Sequence, residues 1–118
     1  MSIWAGPCNR LRLVRGDSGS VTITCQGPDG AARPFAEGET VRFTVKERDT
    51  DREAVLTRAV TQFQPDGTAV VALQPEDTAG LSPGCYCYDV RLVGPGGETV
   101  DTIVPRSEFR VEEAVGDV

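Results

Sequence analysis

The sequence predicts an all-β fold, an immunoglobulin-like antiparallel sandwich of about seven or eight strands, and three observations carry the prediction. Thirteen glycines and eight prolines punctuate 118 residues, so turn signals recur at short intervals. Apolar residues alternate with polar ones over short runs instead of recurring every three to four positions. The 39% hydrophobic fraction is spread over many such runs, which suits two sheets sharing one core. With no compositional break, one domain is expected, large enough to bury roughly two-thirds of its unfolded surface.

Residues 1–9 read as an arm in which Trp4 is the only large apolar anchor. Trp4 fits a satellite contact on the sandwich or an intermolecular anchor, since tryptophan is favoured in interface hot spots. Arg10 to Arg15 alternates Arg10 and Arg12 with Leu11 and Leu13, as a strand with one wet face does. Arg15-Gly16-Asp17 matches an adhesion tripeptide, but glycine and aspartate in a turn account for it. Ser18 to Gln26 sets Val21, Ile23 and Cys25 against Ser20, Thr22 and Thr24, a strand with Cys25 inward. Pro28-Asp29-Gly30 marks a turn, and Phe35 in the following connection plugs the edge of the core.

Glu39 to Arg48 alternates most clearly: Val41, Phe43 and Val45 inward, Arg42, Thr44, Lys46 and Arg48 outward. A basic outer row docks an acidic ligand or, more commonly, pairs with carboxylates on neighbouring strands. Asp49 to Glu53 lacks the glycine and closing glutamate of a calcium loop and reads as a turn. Ala54 to Phe63 is expected to be a strand forming a hairpin with Thr68 to Leu73 across Pro65-Asp66-Gly67.

Pro75, Glu76, Asp77 and Gly80 predict one helical turn, with proline at its first position and acids at its positive end. After Ser82-Pro83-Gly84, Cys85 to Val93 places Tyr86, Tyr88, Val90 and Leu92 on the core face. Cys85, Cys87, Asp89 and Arg91 fall on the other. Gly94 to Gly97 makes a tight connection to a strand at Glu98 to Val104. A last strand runs from Ser107 to Glu113, so the sandwich spans 10–113 and 114–118 is an acidic, frayed tail.

The charge balance excludes several functions. A formal charge of −6 repels a phosphate backbone, so nucleic acid is not an expected partner. No apolar stretch approaches the ~20 residues that span a bilayer, and the N-terminus has no basic segment followed by an apolar signal core. A chain made in the cytoplasm is expected, without a membrane partner.

No histidine is present, which removes Ser-His-Asp and Cys-His nucleophile systems and imidazole metal sites. The four cysteines contain no Cys-x2-Cys knuckle for zinc, and no glycine-rich loop opens a helix to cradle phosphate. No catalytic residue, metal or cofactor is therefore expected. Cysteines in a chain without an export signal start as thiols. A bond from Cys25 to Cys87 would clip the two sheets together, but only if Cys87 left the polar face.

A familiar order emerges from these segments. Arg15-Gly16-Asp17-Ser18-Gly19 leads into Val21-Thr22-Ile23-Thr24, followed by Pro28-Asp29-Gly30, Pro34-Phe35 and Val41-Arg42-Phe43-Thr44-Val45-Lys46. Pro75-Glu76-Asp77-Thr78 and Gly84-Cys85-Tyr86-Cys87-Tyr88-Asp89-Val90 complete it. Over residues 10–112 this resembles the immunoglobulin-like sandwich of phage and prophage structural proteins, in particular the N-terminal domain of the upper baseplate protein family. The resemblance rests on strand and turn spacing. It implies a non-catalytic part of a virion, found in the baseplate or tail, that binds copies of itself and neighbouring baseplate proteins. The chain departs from that pattern in having no heptads after the sandwich and in carrying Cys85 and Cys87.

A virion assembly module that forms a homo-oligomer is thus the expectation. Trp4, Arg42, Lys46 and Arg48 are its candidate interface residues. The competing expectation is a carbohydrate- or protein-binding immunoglobulin-like module of a bacterial surface or secreted protein, for which a Cys25 to Cys87 bond would speak.

Overall fold

The computed structural model describes the backbone of residues 4–5, and residues 10–25, 31, 34–48 and 52–113 in full. The chain is mostly β: β1 (Trp4–Ala5), β2 (Leu11–Val14), β3 (Gly19–Ile23), β4 (Thr40–Lys46), β5 (Leu56–Val60), β6 (Ala69–Leu73), β7 (Gly84–Val93) and β8 (Thr99–Glu112). Among the described residues the one helix is α1 (Pro75–Ala79). Six strands form one sheet in the order β1-β2-β8-β7-β4-β5, and β3 pairs with β6 in a second. Within the six-stranded sheet β2 runs parallel to β8, and every other pairing is antiparallel.

The two sheets close on one core. Val41, Phe43 and Val45 of β4 and Tyr88, Val90 and Leu92 of β7 supply it from the larger sheet. Ala69, Val71 and Leu73 of β6 supply it from the smaller. Phe43 lies 5.3 Å from Tyr88 and 6.0 Å from Phe109 between ring centroids, so β4, β7 and β8 are locked by aromatic packing. Cys25 faces inward, and Phe35 is buried against Phe63 at 5.3 Å, closing the core edge.

The turn chemistry is local and formed where the residues predict it. Gly16 adopts φ +86°, and its N–H donates to the buried Thr78 hydroxyl at 3.0 Å, which ties α1 to the β2–β3 turn. Arg15-Gly16-Asp17 is thus a structural turn, with the Asp17 N–H on the Val14 carbonyl. In α1 the Asp77 carboxylate accepts the Gln74 N–H at 2.7 Å and also pairs with Arg58 of β5. The Gly94–Gly97 connection closes by the Gly94 N–H on Glu98 and the Gly97 N–H on Gly94.

Two expectations about pairing are overturned. β5 and β6 do not form a hairpin: β5 pairs with β4, while β6 pairs with β3 in the other sheet. Pro65-Asp66-Gly67 still turns, because the Asp66 carboxylate takes the Thr68 N–H at 3.1 Å and its hydroxyl at 2.7 Å within the turn itself. The connection then crosses between layers, and this puts Leu56 and Val71 on opposite walls of one core.

The second correction concerns the C-terminal region, where the two strands expected at 98–104 and 107–113 are one strand, β8. From the Tyr88↔Ser107 pair to the Val93↔Thr99 pair, β7 advances five residues and β8 eight, so the extra residues are taken up as bulges. Pro105 falls in the first of these, opposite Asp89, where no ladder donor is needed from it.

Candidate functional site

The outer face of the six-stranded sheet carries the chain's most distinctive chemistry. Alternation on β4 sends Arg42, Thr44 and Lys46 outward as Val41, Phe43 and Val45 go in. On β7 it sends out Cys87, Asp89 and Arg91. In β8, Val104 and Ser107 both oppose core-facing residues of β7, although they are three apart. The bulge between them turns Arg106 to the outer side. These strands line an open hollow of about 560 Å³, bordered by Arg42, Thr44, Lys46, Cys87, Asp89, Arg91 and Arg106.

Four of those side chains are cations and one is an acid. Asp89 is already engaged, accepting from Arg91 Nε at 3.2 Å. Arg42 sits directly opposite Arg91 across the β4–β7 ladder, and on its other side it faces Ala59. No carboxylate therefore stands directly opposite Arg42 or Lys46: Asp89 faces Thr44 between them, and Lys46 faces Cys87. Like charges placed opposite one another across strands are destabilising. A hollow of net +3 in a chain of formal charge −6 leaves −9 for all the remaining residues.

Arg48 lies just past the end of β4 and borders an adjoining depression with Glu47, Cys85, Tyr86, Ser107 and Glu108. Cys87 and Arg106 line both depressions. The sequence-predicted row is thus split: Arg42 and Lys46 share the hollow, and Arg48 lies in a mixed-charge neighbour. Trp4 lends its backbone to β1, opposite Arg12, and its interface role lies outside the described residues, as do Pro28-Asp29-Gly30 and the tail 114–118.

The Cys25–Cys87 bond is not formed. Cys25 is buried inside the core, whereas Cys87 is a free thiol on the outer face, its sulfur 3.5 Å from the Lys46 carbonyl oxygen. The period-2 pattern of β7 puts the sheet between them. Cys85, also free and exposed, donates to Glu108 Oε2 at 3.5 Å. Burial pushes the Tyr88 phenol up to about 12. The Tyr86 phenol is raised by burial and by Glu47, and its hydroxyl donates to the Ser82 carbonyl at 2.7 Å.

Arg106 is the residue that sequence reasoning missed, because it fell between the two strands expected at 98–104 and 107–113, which are the single strand β8. The signal was the spacing of Val104, Ser107 and Phe109, in which the regular period slips by one residue beside a proline.

Fold and surface together define a two-sheet β protein with a basic hollow on its wider sheet. Comparison with known proteins finds no matching family model, and no curated protein matches the chain.

Proposed function

We propose that this chain is a non-catalytic, immunoglobulin-like assembly module that docks an acidic protein surface in the basic hollow of its six-stranded sheet. The single observation behind the reading is the convergence of Arg42, Lys46, Arg91 and Arg106 on one concave face of an acidic chain, with only Asp89 among them. Such a patch steers an acidic partner, rejects basic ones and fixes register more than it adds affinity. The strand order supports the immunoglobulin-like description, since β8-β7-β4 in one sheet and β3-β6 in the other are compatible with a two-sheet Greek-key sandwich. The virion setting comes from the resemblance carried by residues 10–112, and it makes the partner a neighbouring particle protein.

A hexaglutamate peptide is the probe. Its saturable binding at low salt, weakened at least about tenfold by the Arg42→Glu/Lys46→Glu double variant and by about 1 M NaCl, supports the reading. Binding that the double variant leaves unchanged overturns it, and so does tighter binding of a DNA oligonucleotide than of the peptide.

A further inference from the structure

The two-stranded sheet has an open edge with none of the usual protection. The six-stranded sheet ends in β1, which is two residues long, and in β5, which carries Arg58 in its middle, ion-paired to Asp77. Short length and charge are the devices that blunt an edge against further pairing. In the smaller sheet the inward residues of β6 are sealed: Ala69 and Val71 are 0% exposed and Leu73 is 1% exposed. Gly19-Ser20-Val21-Thr22-Ile23 of β3, like β6, has no charge, no proline and no bulge in their pairing, but its central inward residue is not sealed. Val21, directly opposite the sealed Val71, packs on the core yet is only half-buried. Among the described residues, no strand pairs with the other edge of β3.

We propose that this edge pairs with β3 of a second copy, antiparallel and centred on Val21, joining the two small sheets into the four-stranded order β6-β3-β3-β6. Directly opposed residues in antiparallel strands lie on the same face, so core-facing positions must meet core-facing positions. Centring on Val21 sets Val21 against its own copy, Gly19 against Ile23 and Ser20 against Thr22, and it pairs all five residues of the strand. Any other register with the same facing pairs fewer. The arrangement covers the exposed part of Val21 with apolar neighbours and puts the Ser20 and Thr22 hydroxyls together on the wet face. It brings no two charges opposite each other: Asp17, the nearest, falls level with Cys25. This self-complementarity selects a second copy over an unrelated strand. The contact uses no residue of the basic hollow, so the two proposals fail separately.

Light scattering behind size-exclusion chromatography, over a concentration series with reductant, reads the association. Wild type is expected to move from 12.6 kDa toward twice that mass. The Ser20→Lys/Thr22→Lys variant changes only exposed outer-face side chains. In the proposed register it sets ammonium against ammonium at both outer positions, and it should weaken the dimer about tenfold or more. Ser20→Lys/Thr22→Glu introduces the same lysine but pairs it with a carboxylate, and it should restore the dimer. A wild type that stays monomeric at every concentration overturns the proposal. So does a double-lysine variant that associates like wild type, or a lysine/glutamate variant no better than the double lysine. Far-UV circular dichroism confirms that both variants remain folded.

Discussion

Arg42→Glu is expected to stabilise the fold while weakening the acidic-partner binding proposed for the hollow. Arg42 lies directly opposite Arg91 in the β4–β7 ladder, and its other cross-strand neighbour is Ala59, which offers no compensating charge. A directly opposed pair of like charges costs up to about 1 kcal/mol, and an opposed pair of unlike charges returns a similar amount. Arg91 is partly satisfied by Asp89 at 3.2 Å and both sites are solvated, so roughly half of each figure is realistic. Removing the repulsion then contributes about 0.3–0.6 kcal/mol and adding the attraction about as much again. Arg42→Glu should therefore gain about 0.6–1.2 kcal/mol and Arg42→Gln about half that.

Urea unfolding at low salt measures both, as midpoint shifts at constant slope. Because the Debye length shrinks from about 10 Å at 0.1 M to about 3 Å at 1 M, most of the gain should vanish in 1 M NaCl. The same variants should bind hexaglutamate progressively more weakly. A surface arginine kept for stability predicts the opposite sign. Wild type proving the most stable of the three at low salt, or a gain indifferent to salt, would refute the claim that this face is strained in the unbound chain.

Two further outcomes follow from buried polar groups. Thr78→Val keeps the side-chain volume but removes the acceptor of the Gly16 N–H, so stability should fall by about 1–3 kcal/mol; a loss under 0.5 kcal/mol in urea unfolding would show that this tie contributes nothing. The Tyr88 phenol, with its ordinary value of 10.0 raised to about 12, favours the neutral form in the fold. That stabilisation is complete below pH 10 and is lost as pH rises toward 12. Near pH 11 wild type should have lost about 1 kcal/mol after discounting for solvent screening, and Tyr88→Phe should lack this part of the alkaline decline; parallel declines would refute it.

Side-chain direction was legible in the sequence because it is set within each strand, whereas partner choice was not because it is set between strands. The period-2 pattern placed Val41, Phe43, Val45, Tyr88, Val90 and Leu92 inward and Arg42, Lys46, Cys87 and Arg91 outward, and each stands there. Pro75 and Gly80 bracketed the helical turn: the fixed φ of proline suits the first position, while Gly80 ends the turn at φ −89°, a conformation open to any residue. Pro65-Asp66-Gly67 misled by the same logic. The Asp66 carboxylate satisfies Thr68 inside the turn, so the turn forms whether or not the strands beside it pair. What decides their pairing is that β4 can bury Leu56 against one wall while β3 and β6 seal Val71 against the other.

The site divides the same way. Arg42 and Lys46 were visible as a row, but a row on one strand does not reveal whether its neighbours offer carboxylates. The ladder puts Arg91 and Cys87 beside them, and a bulge beside Pro105 adds Arg106, so the hollow's charge exists only once three strands are in register. A surface built from three separately coded strands sets Arg42 directly against Arg91 and gathers four cations around one acid, at the expense of stability. That cost is the reason to read it as a binding face, since a solvated face under no other demand would interleave its acids, of which this chain has eighteen.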